Sequence, residues 1–313
     1  MHRKRAVFKT MNQIRIEDIN ERIKYDVKGF IKECEDVYEK RIYDAAERIK
    51  SYADKRPIIL LSGPSGAGKT TTALKLEELL DHEGIETHTI SMDNYFIPLK
   101  DEIGIDLEAP SRLDIPLLQE HLIRLAEGKE IDVPIFRFKS QIRAGCKRIK
   151  RKKGELVVIE GIHALNPDVT GYKTDFTHSI YLSPDTRISY KDKTLRRADI
   201  RLLRRLTRDV NFRGRSFEHT LSQCEKVEEG AKKYIIPFKD RADIQIDTLI
   251  PYEIGVYRKF DLKGLLDIPA QSKSKAHADN LYMALKNAES VEENLIPKNS
   301  LVREFIGGSA FEY

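Results

Sequence analysis

Cysteine is scarce in this sequence, and long apolar runs are absent. Cys34, Cys146 and Cys224 lie far apart, are odd in number and form no C-x-x-C motif. The sequence therefore suggests neither a disulfide framework nor a zinc site. No apolar stretch approaches the ~20 residues that a membrane-spanning helix needs. These absences predict a soluble protein of the reducing cytoplasm without a membrane partner.

A strong excess of one sign of charge is also lacking. Lys and Arg total 55 against 50 Asp and Glu, a formal charge of +5. This excess suits an anionic small ligand and falls short of a dedicated nucleic-acid-binding protein, so nucleic acid is not the expected partner. The basic residues concentrate at 147–153 and 196–215. The first run, KRIKRKK, could be a nucleic-acid patch, a hairpin tip or a solvated loop, and we favour the loop.

A phosphate-binding motif is the most informative feature that is present. Residues 63–70 read GPSGAGKT, between an apolar run at 57–62 and a helical pattern. Glycines let successive N–H groups converge on phosphates at the positive end of the following helix. Lys69 is expected to reach the outer phosphates, and the Thr70 hydroxyl to bind the Mg²⁺ that bridges them. The predicted nucleotide-binding residues are Gly63, Pro64, Ser65, Gly66, Ala67, Gly68, Lys69, Thr70 and Thr71.

Strand and helix patterns alternate after this motif, which predicts an α/β fold with a doubly wound parallel sheet. The strands are predicted at 58–61, 86–91, 156–159, 178–182 and 244–248. The helices are predicted at 71–83, 115–127, 199–209 and 216–233. The segment 133–152 has the pattern of a β-hairpin inserted beside the sheet, with a polar tip.

Both ends of the chain have helical patterns. From 16 to about 52, Ile16, Ile23, Phe30 and Val37 are spaced by sevens. This stripe could form a dimerising coiled coil, and hence a homo-oligomer, but three heptads favour packing against the parent domain. A second helical stretch is predicted at 276–293, followed by the tail SLVREFIGGS at 300–309.

Two acidic residues follow predicted strands, where ligands gather in open parallel sheets. Asp93, in SMDNYF, could accept a proton from an attacking hydroxyl, and an Asx turn or helix cap is an equally good interpretation. Glu160, in VVIEGIHAL, ends an apolar strand and is placed to hold Mg²⁺ directly or through water.

An arginine-rich segment is the third candidate. Arg205 and Arg208 lie one helical turn apart, and Gly214 allows a bend that points Arg213 and Arg215 at the same ligand. Guanidinium groups on a mobile helical lid would stabilise the charge of a transferring phosphoryl group. The alternative is a solvated helix face with ordinary ion pairs.

These motifs, GPSGAGKT, SMDNYF, VVIEGIHAL and RLTRDVNFRGRSFEHTLSQ, resemble in order and spacing the uridine kinase and phosphoribulokinase family of P-loop kinases, over roughly 56–257. The tail further resembles a bacterial branch of nucleoside kinases. The resemblance implies a P-loop NTPase-type fold with ATP and Mg²⁺ as cofactors, Thr70 and Glu160 on the metal, and Asp93 as general base. It also implies Lys69, Arg208, Arg213 and Arg215 on the phosphates, and Arg205 and Gln223 near a small-molecule acceptor.

The sequence departs from the family where the acceptor is recognised. Uridine–cytidine kinases carry Asp-His-Pro where this chain has Glu108-Ala109-Pro110, and a Tyr and a His where it has Phe136 and Gln141. Phe136 can still stack on a base and Gln141 can still hydrogen-bond an amide edge. Sites that discriminate by hydrogen bonds are sensitive to such changes by factors of ~10⁴.

The leading hypothesis is an ATP- and Mg²⁺-dependent kinase for a nucleoside-like acceptor, with uridine or cytidine to be tried first. The alternatives are a kinase for another hydroxylated metabolite, such as a sugar phosphate or a modified nucleoside, and a nucleotide-gated protein that binds RNA or a partner. The predicted domains are an N-terminal helical extension at 1–54, a P-loop kinase domain at 55–260, and a C-terminal helical extension at 261–313 packed on it.

Overall fold

A five-stranded parallel sheet forms the centre of the protein. In the computed structural model, residues 13–98, 106, 108–137, 140–172 and 175–312 are described. The strands are β1 Gln13–Arg15, β2 Ile58–Ser62, β3 Thr87–Ser91, β4 Glu130–Arg137, β5 Ile142–Lys150, β6 Leu156–Glu160, β7 Thr177–Ser183, β8 Arg187–Tyr190, β9 Lys193–Leu195 and β10 Ile244–Asp247. The central sheet has the order β10-β7-β2-β6-β3, with every neighbouring pair parallel. The predicted parallel sheet is therefore confirmed.

Ten α-helices accompany these strands within the described residues. They are α1 Ile16–Lys50, α2 Lys69–His82, α3 Ile115–Ala126, α4 Pro167–Thr170, α5 Arg197–Arg213, α6 Phe217–Ser222, α7 Cys224–Tyr234, α8 Glu253–Leu266, α9 Lys275–Asn287 and α10 Arg303–Ile306. Short 3₁₀ helices lie at Met92–Tyr95, Pro110–Arg112, Ile236–Arg241 and Glu293–Leu295. No helix in these described ranges combines the length and the apolar character needed to span a bilayer.

The sheet is covered on both faces, which explains its continuous apolar strands. Every residue of β2 and β6 is buried. Ile59 and Leu61 of β2 join the cluster that includes α1, α2, α5, α8 and α9, whereas Ile58 and Leu60 join the one that includes α3 and the β4–β5 hairpin. This two-sided burial holds the carboxyl ends of β2, β3 and β6 rigidly side by side.

The hairpin predicted at 133–152 is confirmed as the antiparallel pair β4–β5, separate from the central sheet. Phe138 and Lys139 of its FRFK sequence lie outside the described residues. The loop predicted at 147–153 is wrong for its first four residues, because β5 continues to Lys150. Arg148 lies 3.0 Å from Asp132 across the hairpin, and Lys152 lies 3.0 Å from Glu155. Two basic residues of the run thus have acidic partners within the fold itself.

Two predicted helices have different bounds in the structure. The helix predicted at 216–233 is a bent pair, α6 and α7, separated only by Gln223. The helix predicted at 276–293 ends at Asn287, since the backbone becomes extended at Ala288. Arg258 donates to the carbonyl of Lys286 at 2.9 Å, and Asn20 donates to that of Asn287 at 2.7 Å. Contacts distant in sequence thus satisfy the terminal carbonyl groups of this helix.

The N-terminal helix α1 packs on the helix that follows the phosphate-binding motif. The Tyr38 hydroxyl lies 2.7 Å from the Thr72 hydroxyl, and both groups are buried. Glu35 accepts hydrogen bonds from Tyr252 at 2.5 Å and from Ser300 at 2.7 Å. The predicted domain boundary at residue 260 falls inside α8. The division of the chain into domains stays a prediction.

A histidine–aspartate pair attaches α9 to the start of α5, and it predicts a pH-dependent stability. His277 Nε2 lies 2.9 Å from Asp199 Oδ1. This hydrogen bond raises the pKa of His277 to about 9. Burial alone would raise the pKa of Asp199, but hydrogen bonds from His277 and Arg196 lower it to about 2. The contribution of His277 is therefore complete below its unfolded pKa near 6.5 and is lost as the pH rises through about 9.

We expect His277→Gln to lower the unfolding temperature by several degrees at pH 6 and by much less at pH 9.5. Thermal unfolding at both pH values measures the difference. His219→Gln, at an exposed histidine, is the matched control and should change the unfolding temperature little at either pH. An equal loss for His277→Gln at pH 6 and pH 9.5 would contradict the charged pair.

Candidate active site

The phosphate-binding motif lies between β2 and α2, in the strand–loop–helix context that it requires. Gly66 and Gly68 have φ angles of +80° and +84°, in the left-handed region that favours glycine. The N–H groups of Gly66, Gly68, Lys69 and Thr70 donate to no other described residue. Unpaired N–H groups at the N-terminus of a 14-residue helix form a binding site for an anion.

Two arginines of α5 hold this loop from behind. Arg204 Nη1 donates to the carbonyl of Gly66 at 3.1 Å, and Arg201 Nη1 donates to that of Ser65 at 3.4 Å. Arg204 is fully buried and forms an ion pair with Glu253, with Nε 2.8 Å from Oε2. Because both carbonyl groups are bound on this side, the loop is shaped before any ligand arrives.

Asp93 and Glu160 lie at the carboxyl ends of adjacent strands. Glu160 pairs in register with Ser91, two residues before Asp93. Burial raises the pKa of Glu160 to about 7, and the nearby charge of Asp93 adds to this while Lys69 opposes it. Burial also raises the pKa of Asp93, opposed by Lys69, Arg213 and Arg208. The structure thus brings Lys69 and both carboxylates together at one end of the sheet.

The alternative role of Asp93, as a helix cap, is filled by its neighbour. The Ser91 hydroxyl accepts the N–H of Asp93 at the start of the 3₁₀ helix. The carboxylate of Asp93 makes no hydrogen bond to another described residue, so it is available to a ligand. Two carboxylates so close repel each other, and a divalent cation would relieve that repulsion. Together with the Thr70 hydroxyl at the start of α2, Glu160 offers the oxygen ligands that Mg²⁺ prefers, so these residues fit the metal.

The predicted phosphate-binding arginines converge on one carboxylate. Asp209 is fully buried and lies 3.2 Å from Arg208 Nη2, 3.6 Å from Arg213 Nη1 and 3.4 Å from Arg215 Nη1. Gly214, with a φ of +63°, ends α5 and makes the bend that was predicted there. Burial and the neighbouring arginines Arg208 and Arg215 lower the pKa of Arg213 to about 10. Because one carboxylate faces three guanidinium groups, this cluster has an excess of positive charge that can attract an anion.

Further polar groups of the candidate site lie near Lys69. Glu108 Oε2 is buried without a hydrogen-bond partner in the described chain, and burial raises the pKa of this carboxyl, opposed by Arg205 and Lys69. Arg205 is itself buried, and burial lowers its pKa. The His163 ring is buried, with backbone groups of Glu108 and Tyr234 beside it. Burial lowers the pKa of His163 to about 4, so the ring is neutral.

The remaining predicted acceptor residues lie on other elements. Phe136, in β4, packs edge-to-face on Phe96 with ring centroids 5.7 Å apart. Gln141 stands between the hairpin strands with a φ of +53°. Gln223 lies at the α6–α7 junction, beside Cys224, which lines a cavity of about 240 Å³ together with Ser65 and Arg205. The structure thus places Arg205 beside the phosphate loop and near Gln223, whereas Phe136 packs on Phe96.

Sequence reasoning missed three residues of this site: His163, Arg204 and Asp209. His163 belongs to the VVIEGIHAL motif, but the spacing of the motif does not predict that this side chain is buried. Asp209 was visible as one acid within an arginine run, which is the signal that could have identified it. Arg204 belongs to the same run, and only its contact with the Gly66 carbonyl separates it from its neighbours.

Comparisons with known proteins find relatives of this chain. The model of the family described as "Phosphoribulokinase / Uridine kinase family" matches residues 58–254. The chain is 31% identical over 192 residues to the uridine kinase of Halobacterium salinarum, covering 59% of this chain and 77% of that protein. It is 31% identical over 199 residues to the uridine kinase of Lactobacillus johnsonii, covering 61% and 86%. A possible uridine kinase from Bacillus stearothermophilus matches with a TM-score of 0.45 and 16% identity, over 66% of this chain and 98% of that one.

Proposed function

Because the chain belongs to the phosphoribulokinase and uridine kinase family, we propose that it uses ATP and Mg²⁺ to phosphorylate a hydroxyl group of a nucleoside-like acceptor. Family membership makes it a phosphotransferase that acts on a hydroxyl group. The nucleotide, the metal, the acceptor and a cytoplasmic location are the parts that we propose.

One observation supports the proposal most strongly: Lys69 lies among Asp93, Glu160 and Glu108 at the mouth of the phosphate loop. Each of these carboxyl groups has its pKa lowered by the charge of Lys69 and raised more strongly by burial. A site with a cationic phosphate ligand, a metal ligand and an unpaired base has the parts that phosphoryl transfer needs. A protein that only binds nucleotide needs no such base.

The chain's own residues would act as follows. The free N–H groups of the loop and Lys69 bind and orient the phosphates, with Arg208, Arg213 and Arg215 on the opposite side. Asp93 accepts the proton of the acceptor hydroxyl, and its raised pKa makes it a better base than an exposed aspartate. Thr70 and Glu160 would hold Mg²⁺, which when bound neutralises charge on the phosphates. Positioning and charge therefore carry most of the rate.

The acceptor side favours a compound rich in hydroxyl groups. Arg205, His163 and the Oε2 atom of Glu108 are buried, and a hydroxylated ligand would supply the hydrogen bond that Glu108 Oε2 lacks in the described structure. Phe136 and Gln141 are proposed to contact the base, and Gln223 the acceptor. Since Glu108 and His163 can serve a sugar as well as a nucleoside, another hydroxylated metabolite is the second candidate.

The test is an acceptor panel with purified protein and ATP. We expect uridine or cytidine to stimulate ADP release at least ~10-fold over the rate without acceptor, and only when Mg²⁺ is present. Stimulation by a sugar phosphate or a modified nucleoside alone would move the assignment to the second candidate. ATP turnover that no acceptor increases, together with RNA binding that weakens as salt is raised, would instead indicate a nucleotide-gated binding protein.

A further inference from the structure

The C-terminal segment places a carboxylate on the phosphate-binding helix. Glu304 Oε2 accepts a hydrogen bond from the Thr71 hydroxyl at 2.6 Å and from the Thr71 N–H at 3.3 Å. Thr71 is the third residue of α2 and belongs to the predicted nucleotide-binding set. An anion from residue 304 therefore already occupies the N-terminus of the helix at which a nucleotide phosphate is expected.

The segment that carries Glu304 is firmly anchored. Leu301, Val302 and Phe305 are fully buried, and the Arg204 guanidinium lies 5.3 Å from the ring centroid of Phe305. A Cβ atom at Gly68 would lie only 2.5 Å from the Leu301 side chain, so the segment also closes the back of the phosphate loop. Moving these apolar side chains out of the core would expose them to water, which is unfavourable. The side chain of Glu304 can move, but the segment as a whole cannot easily leave.

A phosphate and this carboxylate would compete for the same donors. Glu304 is only partly buried and lies close enough to the metal-binding end of the sheet to contribute to the raised pKa of Glu160. Like charges at such a site repel, and the Thr71 hydroxyl can donate only one hydrogen bond at a time. One anion must therefore give way when the other binds.

We propose that Glu304 is an internal competitor that occupies the phosphate position at Thr71 and swings away when nucleotide binds. The inference rests on the proposed function, because it takes the loop to be a nucleotide site. As a consequence, the protein binds nucleotide more weakly than the phosphate loop would without Glu304. The anchored segment keeps the competing carboxylate in place, so its local concentration does not fall with dilution.

Isothermal titration calorimetry with AMP, ADP and adenosine tests this proposal on the full chain. We expect Glu304→Gln to bind AMP and ADP about tenfold more tightly than the wild type, since the neutral amide removes the repulsion. Adenosine, which has no phosphate, should change by less than about twofold. Glu292→Gln is the matched control, because Glu292 is an exposed carboxylate paired with Lys259 and its loss should leave all three affinities unchanged.

Each outcome of the titration decides a separate question. If the wild type binds ADP and Glu304→Gln binds it with the same or a lower affinity, the competitor proposal is overturned. The proposed function then still stands. Failure of both proteins to bind any nucleotide would overturn both the competitor and the proposed function.

A crystal structure of the wild type with ADP tests the competitor without a variant. Glu304 more than 3.5 Å from Thr71 supports the swing, and Glu304 still bonded to Thr71 contradicts it.

Discussion

Replacing Asp93 with asparagine is expected to lower kcat by at least ~10²-fold and to leave the fold intact, because asparagine keeps the shape but cannot accept the proton. The Asp93 carboxylate makes no hydrogen bond to another described residue, and the bond of its N–H to Ser91 is kept in the variant, so the substitution breaks no structural contact. Replacing Lys69 with alanine should cause a comparable loss, since it removes the cation nearest to the buried carboxylates. Steady-state rates with ATP and the best acceptor measure both effects.

Two controls accompany these variants. Asp192→Asn, at an exposed aspartate outside the site, should retain the wild-type rate. Circular dichroism and thermal unfolding should show the wild-type fold for Asp93→Asn and Lys69→Ala. Near-normal turnover by Asp93→Asn would remove the assignment of this residue as the base, while leaving the phosphate loop untouched as a nucleotide site.

The largest effect on stability is expected at the ion pair between Arg204 and Glu253. Both side chains are fully buried, with Arg204 Nη2 2.9 Å from Glu253 Oε1 and 2.6 Å from the carbonyl of Thr248. Arg204→Met leaves the Glu253 carboxylate buried without its cation, which typically costs 3–5 kcal/mol. It also frees the Gly66 carbonyl, so the phosphate loop should lose affinity for nucleotide. Urea unfolding gives the stability and calorimetry with ADP gives the affinity.

A double variant separates the charge from the packing. Arg204→Met with Glu253→Gln should recover part of the lost stability, because no unpaired charge remains in the core. Arg197→Met, which breaks an ion pair with Asp185 at the surface, is the control and should cost no more than about 1 kcal/mol. An Arg204→Met protein as stable as this control would show that the buried pair contributes little.

The strands and the phosphate loop could be predicted because their signals are local. β2 and β6 are short apolar runs bounded by glycine or charge, and the glycines of the loop are needed by its backbone alone. The hairpin and the bend at Gly214 follow from the same kind of pattern. The candidate residues Asp93 and Glu160 were found because the carboxyl ends of parallel strands meet at one edge.

What the sequence did not reveal depends on contacts between distant segments. The terminal carbonyl groups of α9 are bound by Arg258 and Asn20, which lie on other helices. Asp209 gathers arginines from both sides of a bend, and the burial of His163 depends on the elements packed around it. The contact of Glu304 with Thr71 spans 233 positions of sequence, for which no periodic pattern exists.

The bond between Glu35 and Ser300 joins residues 265 positions apart, behind the phosphate loop. A nascent chain that has left the ribosome as far as α9 already carries the whole loop, both strand-end carboxylates and the arginines of α5. It still lacks Leu301 behind Gly68 and the carboxylate on Thr71. Such long-range closure is slow compared with local folding. The pocket should therefore mature only after residues 301–304 have left the ribosome, and until then the loop lacks the contacts that close its back.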